Sequence, residues 1–150
     1  MSEEPRPRLV GFNHVALEVE SIDAALDFYG RLFDIRLRSR GENSAFIDLG
    51  DQFLALQAGR RQGPDEGRHV GFVVDDKAAV RARLEAEGIE VLPGRFLDFL
   101  DPWGNRIEII EYRGIQFSKT DAVLRGMGLA GLEKTEAALA ELAEKGMAPD

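Results

Sequence analysis

Cysteine is absent from the 150 residues, which excludes disulfides, thiol nucleophiles in the chain and cysteine-bound zinc or iron–sulfur centres. Long apolar runs are absent too: nothing approaches the roughly 18 residues of a membrane-spanning helix. The start, Met1 to Arg8, carries acidic residues and proline where a secretory leader would carry an apolar stretch, so a cytoplasmic protein with a frayed first segment is expected. Positive charge is scarce, with 19 Lys and Arg against 27 Asp and Glu for a net charge of −8. No basic patch suited to a phosphate backbone stands out, so neither nucleic acid nor a membrane is an expected partner. Histidine is scarce as well, at two residues. A hydrophobic content of 44% still suffices to fill one ordinary domain, or two small modules sharing a core.

The two histidines occupy the same place in two copies of one motif. Asn13-His14-Val15-Ala16-Leu17-Glu18-Val19-Glu20 returns 55 positions later as Arg68-His69-Val70-Gly71-Phe72-Val73-Val74-Asp75. Residues 9–20 alternate, with Val15, Leu17 and Val19 on one side and His14, Ala16 and Glu18 on the other, the pattern of a strand with one buried face. Ser21 is placed to cap a helix over 22–32, in which Ala25, Leu26, Tyr29, Leu32 and Phe33 follow the helical period. Strands are predicted over 35–38, 44–49 and 52–57, the last two joined by a tight turn at Gly50-Asp51. Residues 58–67 hold three glycines and a proline without apolar periodicity and read as a linker.

The order then repeats. A strand over 69–74 leads to a cap at Asp75 or Asp76, a helix over 78–87 stopped by Gly88, and strands near 89–92, 95–100 and 106–112, with a turn at 101–105. The expected fold class is therefore α+β: two paired βαβββ modules, 9–57 and 68–112, forming a concave mixed sheet in one domain over 9–112. Residues 113–150 change to a helical pattern, with Ser118 as a candidate cap for 119–127 and an Ala- and Leu-rich helix over 133–145 ended by Gly146. This extension covers a sheet edge, roofs the cavity or packs on a second subunit.

Alternation places His14, Ala16, Glu18, Phe53, Ala55, Gln57, His69, Gly71, Val73, Glu108 and Ile110 on the faces away from the helices. Two imidazoles and a carboxylate, His14, His69 and Glu108, are a donor set for one divalent transition metal ion: Fe, Mn, Zn, Ni or Co. The plainer reading of either histidine is a hydrogen-bonded core residue. The repeat-related placement favours the metal. Gln57 is a candidate fourth ligand or substrate donor, and Glu18 a candidate general base, against the plainer readings of a polar strand end and a rim carboxylate.

Asn13 to Leu17 with Ala24-Ala25-Leu26-Asp27-Phe28-Tyr29, then His69 to Val74, then Phe99-Leu100-Asp101-Pro102-Trp103-Gly104-Asn105-Arg106-Ile107-Glu108, resemble the vicinal oxygen chelate superfamily. That group includes glyoxalase I, methylmalonyl-CoA epimerase, extradiol dioxygenases, fosfomycin-resistance enzymes and bleomycin-binding proteins. The resemblance implies paired βαβββ modules, a homodimer, a small-molecule substrate bound through adjacent oxygens, and a metal held by His14, His69 and Glu108. It leaves lyase, isomerase, dioxygenase and transferase chemistry open, with a non-catalytic antibiotic-binding role as the alternative. The further ligand of glyoxalase I and the epimerase falls here at Leu54 or Ala55, which bind no metal. The phosphonate-binding Lys, Ser, Tyr and Arg set of fosfomycin-resistance enzymes is not reproduced in residues 94–98 and 114–118.

Overall fold

The computed structural model describes residues 4–149; the start of the expected frayed segment and the final residue lie outside them. Strand β1 (His14–Val19) is followed by helix α1 (Ile22–Leu32) and strands β2 (Leu37–Arg40), β3 (Ser44–Asp48) and β4 (Phe53–Ala58). The second module comprises β5 (Val70–Val74), α2 (Lys77–Ala86), β6 (Leu97–Leu100) and β7 (Arg106–Glu111). A short 3-10 turn (Tyr112–Gly114) leads to α3 (Asp121–Gly126) and α4 (Glu136–Glu144). The strands form two small mixed sheets, ordered β1-β4-β3-β2 and β5-β7-β6. In each, the first strand of the module pairs in parallel with the last, His14 opposite Phe53 and Gly71 opposite Glu108. The fold class is thus α+β with paired modules, as the repeat implied.

Helix α1 begins where Ser21 accepts a hydrogen bond from the amide of Ala24. It buries Ile22, Ala25, Phe28, Tyr29 and Leu32, a stripe at the helical period. That stripe serves both modules. It lies in one core with Leu17, Val19, Leu54 and Leu56 of the first sheet and Leu97, Phe99, Ile107 and Ile109 of the second. Phe28 packs against Phe99 and Trp103 at ring separations of 6.4 and 6.2 Å. The Tyr29 hydroxyl donates to Asp101 Oδ2 at 2.7 Å, tying the first module's helix to the second module's turn. In that turn Gly104 has φ of +92°, and a Cβ there would stand 2.6 Å from the Cα of Pro64, so the linker can cross it only because the residue is glycine.

Several elements differ from their sequence-based bounds. Strand β1 starts at His14 and not at Leu9, because the ladder begins where β4 begins, at Phe53. Leu9, Val10 and Phe12 are left exposed. The strand expected near 89–92 does not form: Leu92 donates one bond to the carbonyl of Asp98, and the next residue, Pro93, has no N–H with which to extend a ladder. Strand β2 is displaced by two residues from 35–38, and Ala55, expected on the open face, is buried at 2% beside its register partner Phe46.

The extension is capped by Thr120 and Thr135, whose hydroxyls accept from the amides of Val123 and Ala138; Ser118 instead donates to the carbonyl of Gln116. Lys134 anchors it, its ammonium donating to the carbonyls of Tyr112, Ile115 and Phe117 and lying 3.5 Å from the Tyr112 ring centroid. Burial pushes that ammonium down to about 8, so it is charged at neutral pH and its bonds are charge-assisted. At the other end Lys119 bonds the Leu49 carbonyl and the Asp51 carboxylate, while Met127 lies against Gly50. The extension therefore straps the end of β7 to the β3–β4 turn of its own chain. Lys134→Ala is expected to loosen α4 by about 1–3 kcal/mol while leaving both sheets intact. Amide hydrogen exchange would show this as lost protection confined to the extension.

Candidate functional site

His69 stands just ahead of β5, and Glu108 lies on β7, the neighbour of β5. The parallel register opposes Glu108 to Gly71, and a Cβ at Gly71 would meet Ile110 Cδ1 at 2.8 Å, so glycine keeps this stretch of the face open. His69 Nε2 and Glu108 Oε2 come within 3.8 Å. On its other side the ring contacts the Gly67 carbonyl through Nδ1 at 2.9 Å. A carbonyl can only accept, so Nδ1 carries a proton, and in the neutral ring Nε2 then turns its lone pair towards the carboxylate. In that form two electron-pair donors face one another.

His14 has the same local arrangement on the other sheet. Its Nδ1 contacts the amide oxygen of Asn13 at 2.9 Å, which in the neutral ring leaves the Nε2 lone pair available, and its ring stacks on Phe53 at 4.8 Å. It does not join the pair. Among the described residues no three His, Asp or Glu side chains converge closely enough to hold one ion. His14 opens β1, and the strand's hydrogen bond to the second module lies towards its other end, Asn105 Nδ2 donating to the Glu18 carbonyl at 2.9 Å. Four residue steps along the strand place His14 about 13 Å from Glu18.

Glu18 and Gln57 are register partners on β1 and β4. Glu18 also lines a cleft of about 240 Å³ together with His69, Arg68, Arg60 and Asn105. The structure thus brings Glu18 into the surroundings of His69 and leaves Gln57 exposed on the first sheet. The floor of the cleft is held by Arg60, whose side chain is 3% exposed and which bonds Asn105 Oδ1 and the carbonyls of Gln62 and Gly63. Burial pushes the Asp65 carboxyl up, but hydrogen bonds from Arg68, from the Arg106 backbone and from Arg60 outweigh it and hold the group below its ordinary range.

A residue that the sequence reading passed over is Asp98. It is the register partner of Glu108 across β6 and β7, it is 7% exposed, and its Oδ1 is buried without a hydrogen-bond partner. The signal was present in the apolar run Phe96-Leu97-Asp98-Phe99-Leu100, where one carboxylate interrupts a strand.

The model of the Glyoxalase/Bleomycin resistance protein/Dioxygenase superfamily matches residues 11–109. The chain belongs to this superfamily. Among the relatives of this superfamily member, the metallothiol transferase FosB of Bacillus licheniformis is 26% identical over 116 residues, covering 68% of this chain and 75% of its own. The metallothiol transferase FosB of Shouchella clausii is 28% identical over 114 residues, with 66% and 78% covered. The crystal structure of lactoylglutathione lyase from Agrobacterium tumefaciens superposes with a TM-score of 0.56 at 26% identity, over 71% of this chain and 96% of that one. The fosfomycin resistance protein FosX of Listeria monocytogenes shares the fold, with a TM-score of 0.58 at 17% identity over 69% and 94% of the two chains. Among the described residues no helix is long and apolar enough to cross a membrane.

Proposed function

We propose that this superfamily member is a metal-dependent enzyme acting on a small substrate that binds through adjacent oxygens, with its centre built from two copies of the chain. His69 and Glu108 of one copy and His14 of the other would hold one divalent transition metal ion. The carrying observation is the opposed pair of lone-pair donors, His69 Nε2 and Glu108 Oε2, at 3.8 Å. That separation is shorter than the sum of two metal–ligand bonds, about 4.1 Å, so one ion can touch both. Each histidine is already oriented through its other nitrogen, the arrangement that prepares imidazole for metal. Such an ion, when bound, supplies stabilisation of negative charge on a substrate oxygen.

A two-fold dimer supports the reading in two ways. It creates two equivalent centres in one step, since whatever the first copy gives the second, the second gives the first. It also offers cover for Leu9 and Val10, which are 101% and 98% exposed, and for Phe12. Within the centre Glu18, sharing the His69 cleft, is the group to move a proton, and Gln57 is a substrate hydrogen-bond donor at the rim. The curated relatives named metallothiol transferases favour group transfer to a thiol over lyase, isomerase and dioxygenase chemistry. The thiol would have to come from a second small molecule, because the chain has no cysteine.

Elemental analysis of untagged protein tests the centre. The parent is expected to hold about one equivalent of transition metal per chain and His69→Ala less than about a tenth of that, because a histidine ligand contributes a large share of the affinity of a three-ligand site. A parent that takes up no metal when dialysed against Mn, Co, Ni, Zn and ferrous salts would overturn the reading.

A further inference from the structure

Antiparallel pairing puts Asp98 directly opposite Glu108 on the same face of the second sheet. Two carboxylates in that relation repel each other. Arg106 relieves the repulsion only on one side: its Nε donates to Asp98 Oδ2 at 2.9 Å, one terminal nitrogen lies 2.8 Å from the same oxygen, and the other donates to the Glu66 carbonyl at 2.7 Å. Asp98 Oδ1 is left buried and unbonded. With one oxygen buried and unbonded, the Asp98 charge is compensated by Arg106 on one side only. Most of the Arg106 guanidinium edge is turned to Asp98 and to the Glu66 carbonyl.

We propose that Asp98 determines which ligands the Glu108–His69 site accepts. Its carboxylate biases the site against ligands that present several anionic oxygens, such as dicarboxylates and phosphonates, and towards chelating ligands that carry a hydroxyl, amide or ammonium donor. It does so by its charge beside Glu108 and by keeping the Arg106 guanidinium occupied. The inference rests on His69 and Glu108 being metal ligands, and it adds a substrate class to that site.

The test uses the full chain loaded with Co(II), whose visible spectrum reports ligand binding directly. Two probes are titrated: acetohydroxamate, which chelates through two oxygens and keeps an N–H donor, and oxalate, which chelates through two oxygens and presents only acceptors. The parent is expected to prefer acetohydroxamate. Asp98→Asn, which preserves shape and can still accept a bond from Arg106, is expected to take up the same amount of Co(II) and to shift the preference towards oxalate by about tenfold or more. Asp98→Ser is the second variant, expected to shift the ratio in the same direction. Equal Co(II) uptake with an unchanged ratio in the folded variants would overturn the role of Asp98 alone. Failure of the parent to bind Co(II) would overturn the metal reading and this inference with it.

Discussion

Mixing His14→Ala protein with His69→Ala protein, after denaturation and joint refolding, is expected to restore metal binding that neither variant shows alone. If His14 serves the partner's centre, a mixed dimer contains one site that has lost both histidines and one that has lost neither. Random pairing makes half the dimers mixed, so about one quarter of all sites should recover. A centre assembled within one chain would recover nothing, because every chain carries a defect. The experiment is sensitive to the distinction the geometry raises: His69 and Glu108 meet at 3.8 Å, while His14 stands at the opposite end of β1 from the Glu18–Asn105 bond and joins no cluster with them. Both substitutions lie on exposed side chains, so neither should compromise the core.

Asp101→Ala is expected to be the most destabilising single substitution in the second module, by about 3–5 kcal/mol, with a fall in Tm of roughly 10 °C or more. The carboxylate is 3% exposed. Its Oδ1 accepts from the amides of Trp103 and Asn105, and its Oδ2 accepts from the Tyr29 hydroxyl and the Asn105 side chain. Removing it strands four donors, three of them in the turn that positions β7 and hence Glu108. Tyr29→Phe, which deletes one donor and strands none, should cost only about 1 kcal/mol.

The same contact carries a pH signature. Burial, then the Asp101 charge and its hydrogen bond, raise the Tyr29 hydroxyl well above its ordinary value of 10.0. The folded state therefore holds that proton more tightly than the unfolded chain does. Stability from this group is intact below pH 10 and is lost as pH rises beyond it towards the folded value. Denaturant titrations between pH 9 and 12 should show that decline in the parent and a weaker one in Tyr29→Phe. Identical alkaline limbs in the two proteins would count against the assignment.

The repeat made the fold legible. Apolar alternation in 14–19 and 70–74, the Ser21 and Asp76 caps and the Gly50-Asp51 turn are local patterns, and local geometry honours them. Where a neighbour decides, the pattern failed. A strand expected from Leu9 begins only at His14, because β4 offers no partner before Phe53. Residues 89–92 have strand composition, but Pro93 cannot continue a ladder. The extension's helices were evident in composition, while their starts at Thr120 and Thr135 depended on where Lys134 and Lys119 anchor the chain.

The candidate site divides along the same line. By itself the sequence determined which residue types are available: two histidines on repeated strands, Glu108 facing away from Ile107 and Ile109 on the closing strand, and no sulfur donor but methionine. Those are properties of composition and of a period of two, which need no knowledge of what lies across the sheet. Only the tertiary structure decided which of them meet. Two separate sheets bring His69 to Glu108 and leave His14 apart, and the antiparallel register between β6 and β7 sets Asp98 against Glu108. Distances between residues far apart in the chain depend on how the two modules share the α1 core, and no local pattern encodes that packing.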